Sequence, residues 1–60
     1  MNLFDFYAVC NQKELSADQM ADAARKAFSR NTVSRYGGIK RMKYRYAKEF
    51  PEVLKRNENT

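Results

Sequence analysis

The chain has 60 residues, a formal net charge of +5, one cysteine and no histidine. A chain of this length forms one small domain with a marginal core, and a lone cysteine excludes an internal disulfide. One cysteine without histidine supplies too few ligands for a structural zinc site, and no metal or other cofactor is expected. No apolar run approaches the roughly 20 residues that cross a bilayer. We therefore expect a cytoplasmic protein stabilised by packing and self-association, as a homodimer.

Basic residues are concentrated in the middle of the chain. Residues 25–48 contain nine basic residues and no acidic one, whereas residues 1–24 contain four acidic residues and one lysine. The basic set is Arg25, Lys26, Arg30, Arg35, Lys40, Arg41, Lys43, Arg45 and Lys48. This segregation indicates one strongly positive region, which is typical of proteins that bind nucleic acids.

Two helices are predicted in the first half of the chain. Apolar residues at helical spacing favour a helix over Leu3 to Val9, with a short strand as the alternative. Cys10 continues this stripe and is expected to be a small buried hydrophobe. Ser16 and Gln19 form a capping box, which predicts a second helix from about Ala17 to Phe28.

A short third helix follows. Ser29 and Asn31 are both suitable N-caps, and a helix from Thr32 to Tyr36 would place Val33 on its inner side. Gly37 and Gly38 then stop or kink the chain.

Two interpretations compete after the glycines. Met42, Tyr44 and Tyr46 alternate with basic residues, as in a strand or the arm of a hairpin. A longer apolar stripe at helical spacing favours a helix from about Ile39 to Phe50, and Pro51 then ends it or opens a last turn. The expected fold is all-α, a small bundle of three to four helices in a single domain over residues 1–56, with residues 57–60 as a disordered tail.

The order of a helix, a short turn and a second polar, basic helix is what a helix-turn-helix requires. The sequence of residues 29–36, SRNTVSRY, resembles small phage repressors of the Cro/Xre-like type, and residues 32–35, TVSR, resemble the start of the recognition helix in repressors of the lac-repressor type. The resemblance covers about residues 20–38 and implies a helix-turn-helix at about 17–36. The chain departs from that pattern at Asp22, Lys26 and Ala27.

The resemblance implies a sequence-specific regulator of transcription that binds double-stranded DNA through the helix after Asn31. The side chains expected to contact bases are Arg30, Asn31, Ser34 and Arg35. Those expected to contact phosphates are Ser29, Thr32, Lys40, Arg41, Lys43 and Arg45. Arginine pairs with guanine and asparagine with adenine through two hydrogen bonds each, and hydroxyl and cationic groups hold phosphates.

Other functions stay open. A small basic helical protein could bind and inhibit an acidic host protein, and Phe4, Phe6 and Tyr7 would then be its exposed anchor. RNA binding is a third hypothesis. Tyr44 and Tyr46 could stack on single-stranded bases, although the simpler interpretation places one in the core and the other beneath its basic neighbours. Without a base beside the thiol or a paired carboxylate site, we expect no enzymatic activity and no small-molecule substrate.

Overall fold

The computed structural model describes residues 2–56 of the chain. It contains four α-helices and a C-terminal 3₁₀ helix: α1 (Leu3–Gln12), α2 (Ala17–Ala27), α3 (Arg30–Arg35), α4 (Ile39–Glu49) and the 3₁₀ helix Pro51–Lys55. The described residues contain no strand, so the predicted all-α bundle is confirmed. The predicted tail at 57–60 lies outside the described residues.

None of the helices within residues 2–56 has the length and apolar character needed to cross a membrane.

The helical interpretation of the first segment is confirmed. Asn2 caps α1, because its side chain accepts a hydrogen bond from the backbone N–H of Asp5 at 2.8 Å. Phe6, Tyr7 and Cys10 are buried on one side of this helix. Phe6 and Tyr7 are therefore core residues, which corrects their place in the exposed anchor that the host-protein hypothesis requires.

The prediction for α2 is confirmed to within one residue. Ser16 and Gln19 form the reciprocal capping box, with hydrogen bonds of 2.9 and 3.1 Å. A cap of this kind typically contributes about 1 kcal/mol. The helix ends at Phe28, whose backbone is extended, and its buried side packs mainly against α4.

The helices on either side of the glycines differ in how they begin. Ser29, and not Asn31, caps α3, since its hydroxyl accepts from the N–H of Thr32 at 3.1 Å. The helix consequently starts two residues earlier than predicted. α4 confirms the helical interpretation of residues 39–49, with Met42 and Tyr46 fully buried. Because residues 39–49 are helical, they form neither a strand nor the arm of a hairpin.

Seven of the eight aromatic rings form a continuous series of contacts through the core, which we call the aromatic chain. Neighbouring ring centroids lie 5.0 to 6.5 Å apart. In order, the rings are Phe4, Phe50, Tyr46, Tyr7, Phe6, Phe28 and Tyr36. Tilted and edge-on ring pairs at these distances are favourable beyond the area that they bury. The aromatic chain joins α1 and α4 to the residues that end α2 and α3.

Polar contacts fasten the C-terminal 3₁₀ helix to the rest of the fold. Arg56, which directly follows this helix, donates to the carbonyl oxygen of Leu15 at 3.3 Å, and Tyr46 of α4 donates to the same oxygen at 2.8 Å. Arg56 donates to the side-chain oxygen of Asn11 at 2.9 Å, and the amide nitrogen of Asn11 donates to Glu52 at 3.1 Å. These bonds hold Val53 in the core.

Candidate nucleic-acid interface

The four residues expected to contact bases share one side of α3. They follow the spacing i, i+1, i+4 and i+5, which spans about 140° of a helix at 3.6 residues per turn. All four are exposed: Arg30, Asn31, Ser34 and Arg35. The structure therefore brings the predicted base-reading side chains together on the solvent side of α3.

The opposite side of α3 holds the helix on the bundle. Val33 and Tyr36 are half-buried and pack against the core. The ring of Phe28, at the end of α2, stands edge-on to Tyr36 at 5.7 Å and to Phe6 at 5.0 Å. Phe28 thus joins the C-terminal end of α3 to α1, which holds α3 on the bundle.

Ser29 and Thr32, two predicted phosphate contacts, lie at the start of α3. Their hydroxyl oxygens are hydrogen-bonded to each other at 2.9 Å, and the Ser29 oxygen also accepts from the N–H of Thr32. Ser29 is exposed and Thr32 is half-buried. Both hydroxyls already take part in the helix cap. A phosphate at this position would therefore bind to hydroxyl groups that are already hydrogen-bonded.

Three of the four predicted phosphate contacts on α4 are exposed on one surface. Lys40, Arg41 and Arg45 lie on the side opposite the buried Met42 and Tyr46. Two further exposed residues, which are not among the predicted phosphate contacts, share that surface. We define the outer face of α4 as Lys40, Arg41, Tyr44, Arg45 and Lys48. The spacing Lys40, Tyr44, Lys48 at i, i+4, i+8 is the sequence signal that could have identified the last two.

Lys43 is separated from the other predicted phosphate contacts. Its side chain is turned towards α2 and forms an ion pair with Asp18. The pair joins two helices, and its partners are distant in sequence, so their spacing gave no signal for it. A partly exposed ion pair of this kind contributes between zero and about 1 kcal/mol.

Two glycines set the path between α3 and the outer face of α4. Gly37 and Gly38 have φ angles of 97° and 94°, which favour glycine. A side chain on Gly37 would collide with Arg41, and Gly38 begins α4 without a side-chain cap. The first turn of α4 contains Lys40 and Arg41 and no acidic residue, a charge arrangement that opposes the helix dipole.

A pocket of about 330 Å³ lies beside α3, between α2 and the start of α4. Phe28, Val33 and Ile39 supply its apolar lining, and Arg25 and Arg30 its charged lining. Arg25 is also paired with Asp22 at 2.9 Å. The pocket thus brings Arg30 of α3 next to Arg25 of α2, whose charge is compensated by Asp22.

The hydroxyl of Tyr7 lies buried within reach of the charge of Arg45. This hydroxyl has no hydrogen-bond partner among residues 2–56. Burial raises the pKa of Tyr7, Arg45 lowers it to a smaller extent, and Tyr36 adds a further increase. The net effect favours the neutral phenol of Tyr7 over the charged phenolate.

Within residues 2–56, no group of three or more cysteine, aspartate or glutamate side chains could hold a metal ion. No protein-family model, curated protein sequence or solved structure matches this chain.

Proposed function

We propose that this protein binds duplex DNA in a sequence-specific manner and regulates transcription. The observation that carries the proposal is the exposure of Arg30, Asn31, Ser34 and Arg35 on one side of α3. They supply two guanidinium groups, an amide and a hydroxyl, which are the groups that read base edges in the major groove. Residues on the other side of α3 pack on α2, as a bracing helix requires.

α3 has a length that suits contact with a few base pairs in the major groove. Six residues at 1.5 Å each make a helix of roughly 9 Å, and the major groove is about 12 Å wide. Helix-turn-helix proteins contact bases with the N-terminal residues of the recognition helix. Each good bidentate pair between a side chain and a base contributes about 1–3 kcal/mol of discrimination, so two arginines and one asparagine are enough for a short half-site.

The outer face of α4 supplies the contacts that do not depend on sequence. Lys40, Arg41 and Arg45 are exposed and have no ion-pair partner among the described residues. Each phosphate that they neutralise adds about 0.9 to the slope of log K against log salt. A phosphate close to Lys40 and Arg41 would also offset the unfavourable charge at the start of α4.

The proposal includes a homodimer in the cytoplasm. Phe4 and Leu54 are 55% and 74% exposed, and α1 and the 3₁₀ helix that carry them are joined by the hydrogen bond between Asn11 and Glu52. Each of Phe4 and Leu54 is an exposed apolar side chain that a second copy would cover. A dimer with two-fold symmetry would read two half-sites arranged as a palindrome.

The decisive experiment is the selection of bound sequences from a random duplex pool at physiological salt. We expect enrichment of one sequence, in palindromic form if the protein binds as a dimer. Recovery of a random pool would contradict base reading. The exposed Phe4 and Leu54 would then favour the second candidate function, binding of a host protein.

Two matched variants test the separate roles of α3 and α4. Arg35→Ala removes an exposed guanidinium group from α3, and we expect the affinity for the selected duplex to fall about tenfold, with a smaller effect on random duplex. Lys40→Ala removes one exposed charge from α4 and should weaken both duplexes alike, reducing the salt slope by about 0.9. Binding to both duplexes is measured by fluorescence anisotropy. Equal losses for Arg35→Ala on the two duplexes would remove its base-reading role.

A further inference from the structure

Tyr44 is an exposed aromatic side chain in the middle of a cationic surface. Its exposed fraction is 64%, and it is the ring that the aromatic chain omits. Lys40 and Lys48 lie one turn away on either side, and Arg41 and Arg45 lie beside it. A ring in this position adds little to the core, so folding does not explain it.

We propose that the outer face of α4 binds single-stranded nucleic acid, with an unpaired base stacked on Tyr44 and the adjacent phosphates on its cations. A positive surface that follows the backbone and an aromatic ring that accepts a base are the two elements of sequence-tolerant single-strand binding. This site shares Lys40, Arg41 and Arg45 with the proposed contacts to duplex phosphates. It goes beyond the proposed reading of duplex DNA, because it uses none of the four exposed residues of α3 and adds a stacked base on Tyr44.

The contact that Tyr44 already makes leaves room for a base. The Lys48 ammonium nitrogen lies 5.9 Å from the centre of the ring, which is at the outer limit of a cation–π contact. Stacking of a nucleobase on an aromatic ring is a stronger interaction than such a contact between exposed groups. A base can therefore displace the ammonium group, which is then free to pair with a phosphate.

The burial of the apolar side of α4 favours a nucleic acid over a membrane surface as the partner of its outer face. A helix that binds a membrane surface places its apolar side in the lipid, but the apolar side of α4, including Met42 and Tyr46, is fully buried in the core. What remains exposed on the outer face is four cations and one ring, which complement a strand of phosphates and bases.

The test compares the wild type with Tyr44→Ala and Tyr44→Phe on strands of about 12 nucleotides. The probes are oligodeoxythymidine, oligouridine and an abasic DNA strand of equal length, which carries the same phosphates without bases. We expect Tyr44→Ala to weaken binding to the first two at least about fivefold and to leave the abasic strand unchanged. Tyr44→Phe retains the ring and should stay within about twofold of the wild type on every probe.

Gln12→Ala is the control, because Gln12 is also exposed but lies at the end of α1 and belongs neither to a proposed nucleic-acid surface nor to the side chains proposed for the dimer. It should leave binding to all three strands unchanged. Equal losses for Tyr44→Ala on the abasic and thymidine strands, or no loss on either, would overturn the proposal. Binding to phosphatidylserine vesicles that requires Tyr44, without binding to the oligonucleotides, would assign this surface to a membrane.

A second measurement detects stacking directly. The chain contains no tryptophan, so Tyr44→Trp introduces a single indole whose fluorescence a stacked base should quench. The abasic strand should leave the emission unchanged, and quenching by that strand would contradict stacking. Arg35→Ala should reduce duplex binding while leaving single-strand affinity within about twofold, so the two proposals can fail independently.

Discussion

Two buried tyrosines of the core differ in one hydrogen bond. Tyr46 donates to the carbonyl oxygen of Leu15 at 2.8 Å, whereas the hydroxyl of Tyr7 is buried without a partner among the described residues. Their rings are in contact, with centroids 5.8 Å apart. A buried hydroxyl without a partner costs about 1–3 kcal/mol, while a satisfied one contributes about 0.5–1.5 kcal/mol.

The matched substitutions Tyr7→Phe and Tyr46→Phe should therefore differ in their effect on stability. We expect Tyr7→Phe to leave the free energy of unfolding unchanged or to raise it by up to about 1 kcal/mol, because it removes an unsatisfied group. Tyr46→Phe should lower it by about 1 kcal/mol, since Arg56 still donates to the Leu15 carbonyl at 3.3 Å. Urea denaturation measures both. A larger loss for Tyr7→Phe than for Tyr46→Phe would contradict this account of the core.

At the scale of the helices, the caps of α2 and α3 have different surroundings. Ser16, which caps α2, is buried, whereas Ser29, which caps α3, is exposed on the proposed DNA-binding side. Ser29 therefore combines a structural role with a predicted phosphate contact. The two roles can be separated, because aspartate caps a helix as well as serine does but repels phosphate.

Ser29→Asp and Ser29→Ala form the corresponding pair of variants. Ser29→Asp should keep the free energy of unfolding within about 0.5 kcal/mol of the wild type, since it retains the cap and favours the helix dipole. It should nevertheless weaken duplex binding by adding a negative charge. Ser29→Ala removes the cap and should cost about 1 kcal/mol of stability. Urea denaturation and fluorescence anisotropy provide the two readouts. Unchanged DNA affinity in Ser29→Asp would exclude a phosphate near this residue.

The helices could be predicted where their signals are local. The capping box before α2 and the apolar stripe of α4 are each encoded within a few residues. The predicted ranges of both helices agree with the observed ones to within one residue at each end. The start of α3 was misplaced, because Ser29 and Asn31 are both suitable caps. The extended backbone at Phe28, where α2 ends, places Ser29 at the start of α3.

The candidate site could be predicted only in part. Helical spacing is sufficient to place Arg30 and Arg35 on one side of α3. It could not show that Lys43 pairs with Asp18 or which of Tyr44 and Tyr46 enters the core, because both depend on how α4 packs against the other helices. The roles of these residues towards DNA stay predictions.

At the scale of the whole molecule, the buried ionisable groups predict a loss of stability at alkaline pH. Burial is the largest cause of the raised pKa values of Tyr7, Cys10 and Tyr46. A group whose pKa is higher in the folded state stabilises the fold fully below its unfolded pKa. That contribution is lost as the pH rises through the folded value.

We therefore expect the free energy of unfolding to be constant from neutral pH to about pH 9 and to fall above it. The ordinary pKa is 9.0 for Cys10 and 10.0 for the two tyrosines, so the thiol sets the onset. Urea denaturation of the wild type and Cys10→Ala across this range measures the effect, and the variant should begin to lose stability at higher pH. A loss of stability between pH 7 and about pH 9 would contradict the expectation.

The division between the aromatic chain and Tyr44 gives the protein two separate optical signals. Because the chain contains no tryptophan, its near-ultraviolet circular dichroism and emission arise from tyrosine and phenylalanine. Tyr7, Tyr36 and Tyr46 belong to contacting rings, whose dichroism depends on rigid packing and vanishes when the core melts. Tyr44 stands apart and is exposed, so its emission responds to whatever occupies the outer face of α4. Folding and occupancy can thus be followed in one unlabelled sample.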